Sequence, residues 1–142
     1  MNEIEKTIVI LKPDIPEEEF WEKPKIEREK FKKIFERIIR DKYNVLSRKK
    51  WIDKQIAYIH YEEKKEHPLF NDVINYISSE VSEVLLISWE NCIKDIRKIA
   101  LRMREKYIWN NSKLYNMIHA SDSKHESDRE YDIHFWNQKK QR

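Results

Sequence analysis

The sequence of 142 residues contains 39% apolar and 39% charged residues and carries a formal net charge of +3. This balance excludes an intrinsically disordered chain and argues against nucleic acid as a partner. No apolar run is long enough to span a bilayer, and the N-terminus lacks a signal-peptide pattern, so we expect no membrane contact. Cys92 is the only cysteine and cannot form an internal disulfide, which is typical of a reducing, cytoplasmic compartment.

Hydrophobic periodicity predicts one domain over residues 1–142, with elements in the order β-α-β-α-α-β-α-β-α. We predict strands at 7–11, 43–51, 84–88 and 117–119, and helices at 26–40, 52–65, 71–79, after a capping Asn91, and at 124–136. Residues 14–25 are predicted to form a polar loop, and the basic end, about 137–142, a frayed tail. The order contains the split βαβ pattern. The expected fold is therefore an α/β (α+β) ferredoxin-like sandwich, in which helices cover a four-stranded antiparallel sheet.

The sequence contains no glycine, although average usage would supply several. Backbone positions with positive φ must then fall to other residues, and we expect asparagines there, such as Asn44, Asn71, Asn110 and Asn111. The absence also bears on function. RNA-recognition modules share this element order, but their central motif needs glycines between sheet aromatics. The predicted strands carry aliphatic residues instead, so we disfavour that class.

The stretch 115–123 is the strongest candidate for a functional site. An apolar pair leads into His119, and small or polar residues follow before a charged amphipathic segment. This order predicts a short buried strand that delivers an imidazole to a strand–helix junction, where unpaired backbone N–H groups bind phosphate. Farther on, Glu130 is placed to accept one ring N–H and leave the other ring nitrogen free to attack. The alternative is an ordinary buried histidine in the core.

Three cations are candidates for contacts to phosphate, because phosphoryl transfer needs positive charge around the moving oxygens. Lys12 ends an apolar strand, where a lysine has little structural reason to occur. For Arg97 and Arg104 the alternative is a solvated charge on a helix. The histidines form no short-spaced set with the cysteine, so we expect no zinc site. Asp122 could be a carboxylate near the phosphates, but we expect it to cap the last helix.

Three segments resemble the nucleoside diphosphate kinase family, in the order in which that family has them. Residues 116–123, Asn-Met-Ile-His-Ala-Ser-Asp-Ser, with Glu130 in a later Arg-Glu, are similar to its active-site segment Asn-x-x-His-Gly-Ser-Asp-Ser. Residues 7–14 resemble its first strand with Lys-Pro-Asp. His60 and Tyr61, followed by residues 67–70, resemble its helical hairpin. Together the matches are specific and cover about residues 6–136.

The resemblance implies a ping-pong nucleoside diphosphate kinase. A γ-phosphoryl group would pass from ATP or another nucleoside triphosphate to His119, and from there to a nucleoside diphosphate. Lys12 would contact the transferred group, and Ser121 would support His119 and its partner Glu130. Magnesium would enter bound to the nucleotide phosphates, with no metal held by the protein alone. The family also implies a homo-oligomer, built from dimers, with a hexamer as one form of it.

The resemblance further implies the nucleotide contacts. Arg97 and Arg104 would hold the distal phosphates, and Tyr61 would lie near them. Asn116 would contact the ribose, while Leu69 and Val73 would clamp the base; the alternative for these two residues is ordinary packing within the helical hairpin. The full set of expected nucleotide-binding residues is Lys12, Tyr61, Leu69, Val73, Arg97, Arg104 and Asn116.

Several positions depart from the family pattern. Ala120 replaces the glycine after the histidine, and Leu69 replaces the aromatic residue that stacks on the base. The single threonine is Thr7, so the phosphate-binding threonine of the family's long loop is absent. These changes leave an alternative open: a nucleotide-binding interaction module with reduced or lost turnover. The retained His119, Lys12 and Glu130 favour the enzyme.

Overall fold

The computed structural model describes residues 3–13, 27–107 and 116–136. The strands are β1 (Ile4–Leu11), β2 (Asn44–Lys50), β3 (Glu83–Glu90) and β4 (Ile118–Ala120). The helices are α1 (Arg28–Arg40), α2 (Lys54–Tyr61), α3 (Phe70–Ser79), α4 (Cys92–Tyr107) and α5 (Lys124–Tyr131). A 3-10 turn (Glu62–Lys64) follows α2, and a π-helical turn (Asp132–Trp136) follows α5. The predicted element order is confirmed, while the predicted loop at 14–25 and tail at 137–142 lie outside the described residues.

The four strands form one antiparallel sheet in the order β2-β3-β1-β4. The central strand β1 pairs with β3 along its whole length and with β4 over three residues, where Ile10 lies opposite His119. With the helices on the sheet, this is the predicted ferredoxin-like α+β fold. Strand β4 pairs only with the last residues of β1. His119 therefore lies opposite Ile10, two residues before Lys12.

The core lies on both faces of the sheet, because successive residues of a strand point to opposite sides. Val9 and Leu11 of β1 pack in a cluster with Phe31 and Phe35 of α1 and the apolar face of α4. Ile8 and Ile10 pack in a second cluster with residues of α2 and α3. Strands that are buried on both faces explain the uninterrupted apolar runs in β1 and β3. None of the described helices is long and apolar enough to cross a membrane.

Positive φ occurs at Trp51 (74°), Asn91 (53°) and Met117 (61°) among the described residues. The prediction of Asn44 and Asn71 was wrong, and Asn110 and Asn111 lie outside the described residues. Asn91 is of the residue type that was expected at such positions, and main-chain hydrogen bonds accompany the other two. Trp51 follows β2 and donates its N–H to Ser82 O at 2.9 Å, while Met117 lies at the centre of a tight turn in which Ile118 N–H donates to Asn116 O at 2.7 Å. Met117 therefore carries a conformation that is unfavourable for a side chain with a Cβ, directly before β4.

Candidate active site

A cavity of about 990 Å³ opens between the α2–α3 hairpin, α4 and the β4–α5 junction. All the predicted site residues except Ser121 line it: Lys12, Tyr61, Leu69, Val73, Arg97, Arg104, Asn116, His119 and Glu130. These residues come from positions spread over most of the chain, and the fold brings them to one place. The cavity is large enough for a nucleotide-sized ligand.

His119 is held by a carboxylate from α5. Its Nε2 lies 2.8 Å from Glu130 Oε1, and Ser121 Oγ donates to the same oxygen at 2.8 Å. A carboxylate only accepts hydrogen bonds, so Nε2 of the neutral ring carries the proton and Nδ1 carries the lone pair. Ser121 lies behind the pair, fully buried, rather than on the cavity wall. The arrangement leaves one ring nitrogen available as a nucleophile.

Burial keeps the ring of His119 neutral. Desolvation lowers its pKa below the usual 6.5, and the charges of Lys12 and Arg104 act in the same direction, whereas Glu130 opposes them. The net direction is downward, because in a buried site the cost of desolvating the cation exceeds the attraction of one carboxylate. The unprotonated form, which alone has a free lone pair, therefore prevails at neutral pH.

Lys12 follows β1 and points its ammonium group into the cavity. It is 4% exposed, and its Nζ donates to Asn116 Oδ1 at 2.8 Å. The same Nζ lies 5.9 Å from the centre of the Tyr61 ring. The main-chain N–H of Lys12 donates to Met117 O, so the residue is tied to the segment that precedes His119. Backbone pairing thus sets the distance between the cation and the imidazole.

The site holds several positive charges in a buried environment, where a charged group is less stable than in water. Burial lowers the pKa of Lys12 well below 10.5, and the charges of Arg104, Lys64 and Arg97 lower it further. Burial also lowers the pKa of Arg104 to about 10, with Arg97 contributing. Cations that repel one another inside a protein are stabilised when an anion lies between them. The electrostatics therefore favour a polyanionic ligand.

Arg97 and Arg104 lie two turns apart on α4 and both contact β4. Arg97 Nη1 donates to Ala120 O at 2.9 Å, and Arg104 donates from Nε and Nη2 to Ile118 O, the former at 2.9 Å. The two guanidinium groups therefore hold the carbonyls on either side of His119. Each keeps further N–H groups, since a guanidinium has five.

Tyr61 presents a hydroxyl group that has no hydrogen-bond partner among the described residues, although the atom is buried. Burial raises its pKa, with the charge of Glu130 adding to the shift, so the hydroxyl stays protonated and able to donate. A buried donor without an acceptor is costly. A phosphate oxygen in the cavity would relieve that cost.

The mouth of the cavity is apolar on two sides. Leu69 and Val73 of the hairpin are half-buried there, and Leu101 of α4, 44% exposed, lines the same cavity. Sequence reasoning missed Leu101. Its place on the exposed side of α4, one turn from both arginines, was the available signal.

Sequence reasoning also missed a set of residues around Glu130. His60 packs edge-on against His119, with ring centres 4.9 Å apart, and His134 contacts His60. Arg129 forms ion pairs with Glu63 and Glu126 at 3.4 Å each, at the rim of the cavity. His60 was detectable as a polar residue at helical spacing from Ile52, Ile56 and Ile59, but nothing in the spacing joined it to His134.

The prediction that Asp122 caps α5 was wrong. Ser123 is the N-cap, and its Oγ accepts the N–H of Glu126 at 3.1 Å. Asp122 is exposed and lines the cavity instead. Both residue types are good caps, and the backbone of Ser123 has the extended conformation that a cap requires. Asp122 thus remains available at the rim.

Two groups of side chains in the described part of the chain place metal-ligand atoms within 4.8 Å of one another: His60, His119 and Glu130, and Glu63, His125 and Glu126. Neither contains a cysteine. In the first, the nearest pair of atoms already shares a hydrogen bond. In the second, Arg129 pairs with both carboxylates. We assign no metal to either group.

Known proteins match the chain over nearly its whole length. The family model for nucleoside diphosphate kinase matches residues 5–140. A nucleoside diphosphate kinase of Pyrococcus furiosus is 31% identical over 147 residues, covering 95% of this chain and 85% of the relative. One of Thermococcus kodakarensis is 30% identical over 146 residues, covering 94% and 78%.

Solved structures are similar as well. A nucleoside diphosphate kinase of Aquifex aeolicus has a TM-score of 0.69 and 25% identity, covering 94% of this chain and 96% of the other. One of Halobacterium salinarum in complex with CDP has a TM-score of 0.71 at 20% identity, covering 95% and 88%. One of Borrelia burgdorferi, a transition-state mimic with vanadate and ADP, has a TM-score of 0.65 at 21% identity, covering 93% and 87%.

Proposed function

Since the chain belongs to the nucleoside diphosphate kinase family, we propose that it transfers the γ-phosphoryl group between nucleotides through a phosphohistidine at His119. The observation that supports this most directly is the hydrogen bond of 2.8 Å between His119 Nε2 and Glu130 Oε1, in a cavity that Lys12 also lines. An oriented imidazole beside convergent cations supports a turning-over enzyme. It disfavours a module that only binds nucleotides, which would need the cations but not the oriented ring.

Two half-reactions complete the transfer. In the first, the Nδ1 lone pair of His119 attacks the γ-phosphorus, an N–P bond forms, and the P–O bond to the β-phosphate breaks, its electron pair leaving with the nucleoside diphosphate. In the second, a terminal phosphate oxygen of the acceptor attacks the phosphorus, and the electron pair of the N–P bond returns to Nδ1. The Nε2 proton stays on the bond to Glu130, so the ring releases no proton in either step.

The nucleotide would enter with its phosphates inward. Lys12, Arg97 and Arg104 would surround the phosphoryl oxygens, and the Tyr61 hydroxyl would donate to one of them. Pre-organised cations of this kind stabilise charge in the transition state without needing to move. The ribose would lie at Asn116. The base would lie at the mouth, between Leu69 and Val73, where an aliphatic clamp gives little selectivity among bases.

Magnesium would be bound through the nucleotide phosphates. The residues present fit that ion, since the exposed Asp122 lines the cavity and offers carboxylate oxygens that would contact it directly or through water. When bound, the ion supplies charge neutralisation between phosphate oxygens. The protein's own contribution would be the carboxylate of Asp122 on the cavity wall.

We further propose that residues 1–142 act as one domain in a dimer-based homo-oligomer, of which a hexamer would be one form, in the cytoplasm. Strand β2 is an edge of the sheet, and an edge strand offers unpaired backbone groups to a second chain. Leu46 on β2 and Ile38 on α1 are 51% and 47% exposed, which supports a second copy of this chain as the partner. The free thiol of Cys92 is consistent with a reducing compartment.

The phosphohistidine is tested with γ-labelled ATP. We expect the wild type to form an acid-labile, alkali-stable phosphoprotein that passes its label to a nucleoside diphosphate. His119→Ala should abolish the label, while His125→Gln, a change at the exposed start of α5, should keep it. Label that survives in His119→Ala would refute His119 as the acceptor.

A further inference from the structure

Two imidazoles, those of His60 and His134, contact each other beside the active site, and His60 also lines the cavity. His60 Nδ1 of α2 and His134 Nε2 of the π-helical turn are 2.8 Å apart, between residues separated by 74 positions in the sequence. His60 is 5% exposed and His134 is fully buried. Neither ring has a part in the two half-reactions, and a buried polar pair of this kind needs a reason to be present.

Both rings are neutral at neutral pH. Burial lowers the pKa of His134 from 6.5 to about 3, with Lys49, His119 and Arg129 contributing. Burial lowers the pKa of His60 well below 6.5, and the charges of His119, His134, Arg129 and Lys12 add to the shift. A neutral imidazole has one N–H donor and one acceptor nitrogen. The short contact between the two rings therefore contains one proton, which belongs to one ring or the other.

The far side of His134 indicates which ring holds the proton. Its Nδ1 is buried and has no hydrogen-bond partner among the described residues. If His60 were the donor, the proton of His134 would lie on Nδ1, as a buried N–H without an acceptor. If His134 is the donor, Nδ1 is only a vacant acceptor. Unpaired buried N–H groups are rarer in proteins than under-used acceptors, so His134 Nε2 carries the proton.

That choice sets the proton of His60. Because its Nδ1 accepts from His134, its own proton must lie on Nε2. His60 Nε2 is 4.0 Å from Glu130 Oε2, while Glu130 Oε1 accepts from His119 and Ser121. The carboxylate then faces N–H groups at both oxygens. With the opposite tautomer, a nitrogen lone pair of His60 would face Oε2 and repel it.

We propose that His134 and His60 are positioning residues for phosphoryl transfer, in which the Nε2–H of His134 fixes the tautomer of His60 and so directs an N–H at Glu130. The inference rests on the proposed role of His119. As the N–P bond forms, positive charge develops on the ring of His119, and Glu130 stabilises that charge only while its carboxylate stays ionised and in place. His60 holds it there, and the edge-on contact between the rings of His60 and His119 keeps the spacing.

The tautomers can be read directly in the wild type. Long-range ¹H–¹⁵N correlation spectra of histidine-labelled protein distinguish Nδ1–H from Nε2–H rings. We expect His134, His60 and His119 all to be Nε2–H at neutral pH. A His60 ring that carries its proton on Nδ1 would overturn the proposal, whatever the activity of the enzyme. Conversely, a wild type that forms no phosphohistidine would contradict the proposed function and leave the ring assignments readable.

Two variants at one position separate positioning from packing. Glutamine places an amide N–H near the position of a histidine Nε2–H, so His134→Gln keeps the donor, whereas His134→Phe keeps a planar ring and removes it. We expect His134→Phe to lower kcat about tenfold, the loss expected for one hydrogen bond, with KM unchanged, and to give a mixture of His60 tautomers. His134→Gln should stay within a few-fold of the wild type. Equal kcat losses in both variants, or none in His134→Phe, would overturn the proposal, and if His134→Phe does not fold, the wild-type spectrum decides.

Discussion

Lys12 is a buried cation whose charge is opposed by its surroundings until an anion arrives. Its one described hydrogen-bond acceptor is Asn116 Oδ1, which carries no net charge. Burial and the neighbouring cations lower its pKa, and a bound phosphate would reverse that direction. The mutual repulsion of Lys12, Arg97 and Arg104 thus favours binding of a polyanion such as a triphosphate. The same cations would hold the transferred group.

Arg104 allows a direct test, because the same helix carries a matched control. Arg104→Met should lower kcat/KM by about a hundredfold or more, as expected on removal of a pre-organised charge from a transition state. Arg102→Met, a change at an exposed residue of α4 that does not line the cavity, should leave it within a few-fold. Steady-state kinetics with ATP and a diphosphate acceptor make the comparison. Similar values for both variants would place the phosphates elsewhere.

The pH profile of kcat/KM reports on His119. Only the neutral ring has a free lone pair, so activity falls as pH drops through its pKa. Since burial lowers that pKa below 6.5, the acidic limb of the profile should lie below pH 6.5, with a plateau from there to neutral pH. The profile is measured in the free enzyme with limiting nucleotide. An acidic limb centred above pH 6.5 would show that Glu130 outweighs burial.

Helix α5 carries Glu130, so the position of that carboxylate depends on the stability of a short helix. Its first turn depends on the Ser123 cap, and an α-helix of this length has little stability of its own. Ser123→Ala should lower the free energy of unfolding by about 1 kcal/mol, whereas Asp122→Ala, at the residue that does not cap, should change it little. Urea denaturation measures both. A larger loss for Asp122→Ala would return the cap to that residue.

The same helix shows where sequence reasoning succeeded and where it stopped. The strands, the helices and the residues around His119 could be predicted, because period and motif are local signals. The cap is Ser123 and not Asp122; the two residues are adjacent and both types cap helices well, so the local sequence does not choose between them. Trp51 has positive φ where its N–H forms a tertiary hydrogen bond with Ser82 O, and Met117 has it at the centre of a tight turn closed by Ile118 N–H and Asn116 O; neither residue type signals such a position. The pairing of His60 with His134 could not be predicted, because the two residues are 74 positions apart in the sequence and only the tertiary fold brings them together.

For the molecule as a whole, the edge strand β2 is the prediction to test. Leu46→Lys places a charge on that edge. The variant should be mostly monomeric at micromolar concentration, where we expect the wild type to be a dimer-based assembly. Ile59→Lys, at an exposed residue of helix α2 and so not on a sheet edge, is the control and should keep the assembly. Sedimentation velocity distinguishes the two. A wild type that is already monomeric at that concentration would refute the proposed oligomer.

The shortness of β4 has a consequence for local opening of the sheet. Three paired residues give the strand few main-chain hydrogen bonds, and its flanking carbonyls are tethered by Arg97 and Arg104 from α4. The same guanidinium groups are the proposed phosphate ligands. Local opening of β4 and occupancy of the cavity are therefore linked equilibria that share two side chains. We expect a bound nucleotide to slow amide exchange first along Ile118–Ala120. The amides of the β1–β3 ladder should exchange only when the whole fold opens.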